Sequence, residues 1–175
     1  MLGIGNFIDK TFTVIADLIL KLFPASKKEK EAFSYYRAGM NAQSTGKYSE
    51  ALSNYYEALK REEDAMDRGF VLFNMGLIYK GTGRPAKSLD FFQQALELNP
   101  NSTQALNAIA VIYHQKGMQA DSLYLTSYND YQLELAEIFY DTASKYWIRS
   151  LKIAPDLYPG ARNWLKVTGR LPDGI

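Results

Sequence analysis

Two stretches of this chain repeat one pattern of large, small and polar positions at helical spacing. In the first, Tyr35-x-x-Ala38-Gly39-x-x-Ala42 is followed by Gly46-x-Tyr48-x-x-Ala51-x-x-x-Tyr55-x-x-Ala58. In the second, Leu72-x-x-Met75-Gly76-x-x-Tyr79 is followed by Gly83, Ser88-x-x-x-Phe92-x-x-Ala95 and Pro100. Steps of three and four place these residues on one face of a helix, and Gly46 and Gly83 mark turns, so each block predicts a pair of helices. Ser26-x-x-Glu29 reads as a capping box opening a helix that runs to about Thr45. Asp67 is placed to cap the first helix of the second block. Glu63 stands where a helix-ending Pro is usual, so the helix before it is expected to run on.

A large residue, a Leu-like residue, Gly and Tyr on one helix, then a small residue, an aromatic and Ala on the next, recurring about every 34 residues, is the tetratricopeptide pattern. Gly39 and Gly76 are expected to be small because the second helix crosses there at backbone distance, through Ala51 or Ser88, with Tyr55 and Phe92 filling the gap beside it. The fold expected is all-α, a right-handed α-solenoid of three tetratricopeptide helix pairs. The domain spans 26–171, with repeats at about 32–65, 69–102 and 103–157 and a tail at 172–175. The third repeat is split. Leu106-x-x-Ile109-Ala110-x-x-Tyr113-x-x-x-Gly117 supplies its first helix and Ala143-x-x-x-Trp147-x-x-Ser150 its second, around an insertion at about 118–138. With Leu123, Tyr124, Leu125, Tyr128, Tyr131, Leu133, Leu135 and Ile138, that insertion is too apolar for a disordered linker. An irregular start and then a lengthened second helix from about Asn129 is expected. The segment at about 159–168, with Trp164 and Leu165, reads as a capping helix ended by Gly169.

Residues 1–25 are not a repeat. On a helical wheel of 6–23, Phe7, Phe12, Ile15, Ile19 and Leu22 share one broad apolar arc, opposite Asp9, Lys10, Asp17 and Lys21. An amphipathic helix is expected, N-capped by Asn6 and ended by Pro24. Four charges inside the stretch, each costing about 2.5–3.5 kcal/mol near a bilayer centre, argue against spanning a membrane. Lying on one, or docking on the protein's own groove, remains open to it.

Composition narrows the function. Twenty Lys and Arg against 19 Asp and Glu leave a formal charge of +1, which argues against bulk affinity for nucleic acid. The basic positions Lys145, Arg149, Lys152, Arg162, Lys166 and Arg170 read as a solvated face. There is no Cys, and His114 is the only histidine, so neither a metal site nor a nucleophilic triad is signalled. Gly81-Thr82-Gly83-Arg84-Pro85 lacks the ending of a phosphate loop and sits where the repeat needs a turn. No enzyme activity, cofactor or small-molecule substrate is expected. The start shows neither a signal-peptide nor a transit-peptide pattern, so the chain is expected to work in the compartment where it is made.

Such repeats make surfaces. The first helix of each pair is expected to face a groove with Phe33, Tyr36 and Met40, then Phe70, Phe73 and Leu77, then Gln104, Asn107, Val111 and His114. Some of these aromatics are expected to pack between repeats. Six left bare, at roughly 1.5–3 kcal/mol each, would need a partner or the front helix to cover them. A carboxylate clamp of the kind that grips acidic chaperone tails is disfavoured, because its positions hold Tyr36, Met40, Asn74, Gln104 and Ala108, and only Asn74 suits it.

Several words of the sequence go beyond a generic repeat: the front motif from Asn6 to Phe12, Lys30-Glu-Ala-Phe33, Ala51-Leu-x-Asn54-Tyr-Tyr-Glu-Ala58, Gln104-Ala-Leu-Asn107, Ala110-Val-Ile-Tyr-His114, Tyr146-Trp147 and Asn163-Trp-Leu-Lys166-x-Thr-Gly-Arg170. Together they resemble the photosystem I assembly protein family, tetratricopeptide proteins of plastids and cyanobacteria, from about Asn6 to Arg170. The chain departs from that family in a longer third-repeat insertion and at Ala108, where Asn is usual. The resemblance implies an assembly factor that holds newly made photosystem I core subunits and cooperates with other assembly factors; the groove chemistry by itself would equally suit a general co-chaperone or complex-assembly scaffold that binds apolar peptide segments. It implies a peripheral place on the stromal side of the plastid thylakoid membrane, or on the cyanobacterial thylakoid if the source is bacterial.

Overall fold

The computed structural model of the chain describes residues 26–175; the front segment at 1–25, and with it the arc of Phe7, Phe12, Ile15, Ile19 and Leu22, lies outside them. Among the described residues every regular element is a helix, as the all-α expectation required: α1 Lys27–Ser44, α2 Tyr48–Arg61, α3 Ala65–Gly81, α4 Pro85–Leu98, α5 Thr103–Ser127, α6 Asp130–Ile153 and α7 Pro159–Val167. The chain divides into two compact units, one ending at Val71 and the other beginning at Leu72, inside α3.

In the first unit the capping box forms as predicted: Ser26 Oγ accepts from the Glu29 amide at 3.1 Å, and the Ser26 amide donates to Glu29 Oε2 at 2.6 Å. Gly46 turns the chain with φ +75°, a conformation that costs glycine little, and α2 returns along α1. Ala51, Tyr55 and Ala58 are buried from α2, and Ala32, Gly39 and Ala42 from α1. The helix before Glu63 does not run on. It stops at Arg61 because Glu62 adopts extended backbone and its carboxylate accepts from the Glu63 and Asp64 amides at 2.9 and 3.0 Å. Nor is Asp67 the cap of the next helix. Asp64 takes that role, accepting from the amides of Met66 and Asp67 at 2.8 and 3.0 Å. Burial, with the Glu62 and Asp64 carboxylates nearby, pushes the Asp67 carboxyl above its usual range.

In the second unit Phe92 of α4 is buried against α3, and the Ser88 hydroxyl donates to the Gly76 carbonyl at 2.8 Å. Leu89 and Phe92 then join Ala108, Ile109 and Ile112 of α5 in one apolar cluster. A second cluster gathers Ala110, Ala143, Trp147 and Leu151 with Ala161 and Leu165 of α7. After α7, Gly169 at φ +69° lets the amides of Arg170 and Leu171 return to the Leu165 carbonyl at 2.8 and 3.0 Å.

The expected irregular start of the insertion is absent. Helix α5 continues unbroken to Ser127, Tyr128 caps it in the left-handed conformation, and Asn129 opens α6 by accepting from the Tyr131 amide at 3.1 Å. The inserted residues lengthen both helices, and the reason lies in spacing. Gly117 comes one heptad after Ala110, while Ala136 and Tyr140 come one heptad before Ala143 and Trp147. In an antiparallel pair those shifts meet, so the small-against-aromatic crossing is made twice. A Cβ on Gly117 would lie 2.5 Å from Tyr140 Cε1, as one on Gly76 would lie 2.5 Å from Phe92 Cε1 and one on Gly39 2.6 Å from Tyr55 Cδ1. The atoms that exclude a side chain at these glycines are therefore ring atoms, not the backbone near Ala51 or Ser88.

Candidate functional site

The sequence-predicted groove residues fall into several environments. In the first unit Phe33 and Met40 are half-buried on α1, and Tyr36 lies with its ring 5.9 Å from that of Tyr55, the residue that fills the crossing. Phe70 is exposed. In the second unit the Phe73 ring sits 5.3 Å from Phe92, and Leu77 packs on the Leu89 and Ile109 cluster. Tyr36 and Phe73 thus support the crossings from beside them.

The α5 residues separate further. Gln104 is exposed at the start of the helix. Asn107 accepts a hydrogen bond from the Trp147 indole at 2.9 Å, which satisfies a nearly buried donor. Val111 packs on the Trp147 and Leu165 cluster. His114 is surrounded by rings, with Trp164, Trp147 and Tyr140 at 5.0, 5.4 and 5.5 Å between centroids. Burial pushes its imidazole below its ordinary pKa, towards the neutral form. The structure therefore gathers Asn107, Val111 and His114 against α6 and α7 and leaves Gln104 apart. Ala108, a clamp position, is buried in the α4–α5 cluster.

Sequence reasoning missed the partners of this ring cluster. Tyr140 donates its hydroxyl to Asp121, and burial followed by that acceptor pushes its phenol far up. The Arg170 guanidinium lies 5.5 Å from the Trp164 ring and 5.8 Å from Tyr140, and pairs with Glu137 and, at 3.1 Å, with Asp141. One face of the lengthened α5/α6 hairpin is thereby covered by α7 and the residues after it. Another face is open. There a shallow cleft of about 190 Å³ runs between Lys116, Gln119, Ala120 and Leu123 of α5 and Gln132, Leu135 and Phe139 of α6. The signal for the extension was present as Gly117 with Ala136-x-x-x-Tyr140, a copy of the repeat's own crossing.

Among the described residues no group of three or more His, Cys, Asp or Glu is placed to hold a metal, and no helix is long and apolar enough to cross a membrane. Comparison with known proteins agrees on architecture: tetratricopeptide-repeat family models match residues 30–101 and 91–124. It also identifies relatives along the whole length. A protein of Phaeodactylum tricornutum named photosystem I assembly protein Ycf3 is 63% identical over 97% of this chain and 98% of its own length. Proteins of the same name from Cyanophora paradoxa and Rippkaea orientalis are 54% and 53% identical, each over 94% of this chain and 91% of their own lengths. The chain belongs to the photosystem I assembly protein Ycf3 family.

For a member of that family the repeat models account for only part of the surface. They end at residue 124, just before α5 does, so the hairpin tip, α6 and α7 lie beyond them.

Proposed function

We propose that this chain is a non-enzymatic assembly factor that binds photosystem I core subunits during biogenesis and cooperates with other assembly factors. The observation that carries this reading is the similarity, over nearly the whole chain, to proteins bearing that name from Phaeodactylum tricornutum, Cyanophora paradoxa and Rippkaea orientalis. The helix pairs support it by offering apolar first-helix side chains. Binding is assigned to the tetratricopeptide helices of each unit taken separately: to Phe33, Tyr36, Met40 and Phe70 in the first, and to Phe73 and Leu77 in the second. The place of action is proposed to be the stromal face of the thylakoid membrane, held peripherally through the apolar arc of Phe7, Phe12, Ile15, Ile19 and Leu22.

Complementation tests it. A cyanobacterium deleted for its resident homologue is expected to lose photosystem I and to recover it when this chain is supplied, with core subunits retained on the tagged protein. Photosystem I at normal levels in the deleted strain, or no recovery with well-expressed chain, overturns the proposal. Phe70→Ala, which removes an exposed ring without touching a crossing glycine, is expected to weaken capture several-fold at unchanged helicity.

A further inference from the structure

The lengthened hairpin ends in a surface of unusual composition. Residues 118–138 carry Asp121, Asp130, Glu134 and Glu137 and no Lys or Arg. Its largest apolar side chains point outward: Leu125, Tyr128 and Tyr131 are 69%, 79% and 62% exposed, with Leu123 and Leu133 also exposed beside them. Isolated apolar residues on a surface are ordinary, but a cluster concentrated at one end of one hairpin is the mark of an interaction site. The turn adds to it. Tyr128 caps α5 at φ 51° and ψ 33°, a left-handed conformation that helix ends usually give to Gly or Asn. A tyrosine in that conformation carries backbone strain that glycine would not, and its ring stands in solvent.

Charge decides the occupant. Of the four acids, Asp121 is engaged by Tyr140 and Glu137 by Arg170, whereas Asp130 and Glu134 are exposed and make no ion pair with any described residue. A negatively charged rim around exposed Leu and Tyr is complementary to an apolar segment bordered by Lys and Arg, and repels an anionic lipid surface. We propose that the tip of the α5/α6 hairpin binds the basic, apolar flank of a membrane-inserted protein segment. Such flanks carry an excess of Lys and Arg on the side of the membrane that is not translocated, next to apolar spans. Tyr131 and Leu125 supply the apolar contact, and Asp130 and Glu134 select the charge. The choice of a membrane protein as partner rests on the assembly role proposed above; the acidic, apolar surface does not.

The test uses the full chain and two synthetic helical peptides, one with a leucine face and lysines at both ends, the other with glutamate in place of lysine. By fluorescence anisotropy the lysine peptide is expected to bind at least about tenfold more tightly, with a preference that shrinks as salt rises. Asp130→Asn with Glu134→Lys is expected to erase the preference, and Leu125→Ser with Tyr131→Ser to weaken binding about tenfold. Both lie on exposed positions, so helicity should persist; should a double variant unfold, Leu125→Ser alone reads the apolar contact and Glu134→Gln alone the charge preference. Equal binding of both peptides, or binding untouched by the tip variants, overturns the proposal. So does tip-dependent sedimentation with anionic vesicles, which would make the occupant a lipid surface, or self-association lost in the same variants, which would make it a second copy. Because the peptide measurement needs no photosynthetic host, its failure leaves the assembly role standing. Normal photosystem I in the deleted strain would overturn that role and leave the peptide selectivity to be read separately.

Discussion

The α1/α2 pair and the α5/α6 pair are built on the same contact and differ in how often they make it. In α1/α2 a single glycine, Gly39, receives a single ring, Tyr55, and the helices end soon after at Gly46. In α5/α6 Ala110 and Ala143 are buried with Trp147, and Gly117 receives Tyr140 one heptad further out. An insertion into a helical repeat need not become a loop. If it is close to a multiple of the helical period and carries the small and aromatic residues of the crossing, it is absorbed as helix on both sides of the turn. What it adds is surface. The α1/α2 pair ends in a short turn at Gly46, whereas α5/α6 projects a tip whose faces have different fates, one covered by Trp164 and Arg170 and the other open.

The largest expected effect breaks or confirms the equivalence of the crossings. Gly76→Leu and Gly117→Leu each drive a side chain into an aromatic ring and should lower stability by about 1–3 kcal/mol or more, several degrees in melting temperature. Similar losses make Gly117 a true crossing. A silent Gly117→Leu would mean that the outer half of the hairpin opens to accept it, and that the insertion is only loosely part of the fold.

A smaller effect sharpens what is special to the third pair. Asn107→Leu leaves the Trp147 indole without its acceptor, in a side chain that is only 6% exposed. The expected loss is about 1–3 kcal/mol, with a shift in tryptophan emission. In the first pair the Tyr55 hydroxyl donates to Gln43 of α1 at 2.7 Å, and the Phe92 ring carries no donor. If Asn107→Leu costs nothing, Asn107 serves the groove and not the crossing.

The smallest effect is a pH dependence. His114 has its pKa lowered from 6.5 by burial among Trp147, Trp164 and Tyr140. The unfolded chain therefore binds a proton more readily than the folded one. Stability from the neutral ring is present above about pH 6.5 and is lost as pH falls through the lower folded value. Replacing His114 with Phe, which keeps an aromatic ring in the box, should flatten that acid-side loss while leaving stability at pH 8 little changed. Denaturant midpoints measured on both proteins across pH 5–8 check it; parallel curves would show that the ring cluster does not hold the imidazole in its neutral form.

Helix pairs, the turns at Gly46 and Gly83, the start of α6 at Asn129 and the all-α class were legible in the sequence because each depends on local spacing: three- and four-residue steps, a positive φ, a side-chain cap. Gly39 and Gly76 were legible as crossing glycines, since a small residue and an aromatic at fixed separation leave few ways to pack, whereas the crossing of Gly117 with Tyr140 was not. Nor were two helix boundaries. Asp64 and Asp67 both fit a cap, and Glu63 fits a helix interior, so only the pairing of Glu62 with the Glu63 and Asp64 amides, and of Asp64 with those of Met66 and Asp67, decided where α2 stopped and α3 began. The groove was the least legible part. Asn107, Val111 and His114 sit at spacings that suit an open face, and they were turned inward by Trp147, Trp164 and Tyr140, whose approach depends on a hairpin and a closing helix distant in sequence. The sequence determined by itself that repeats form and which residues must be small. Tertiary packing alone decided which aromatic side chains are used up inside and which, like Leu125, Tyr128 and Tyr131, remain outside for a partner.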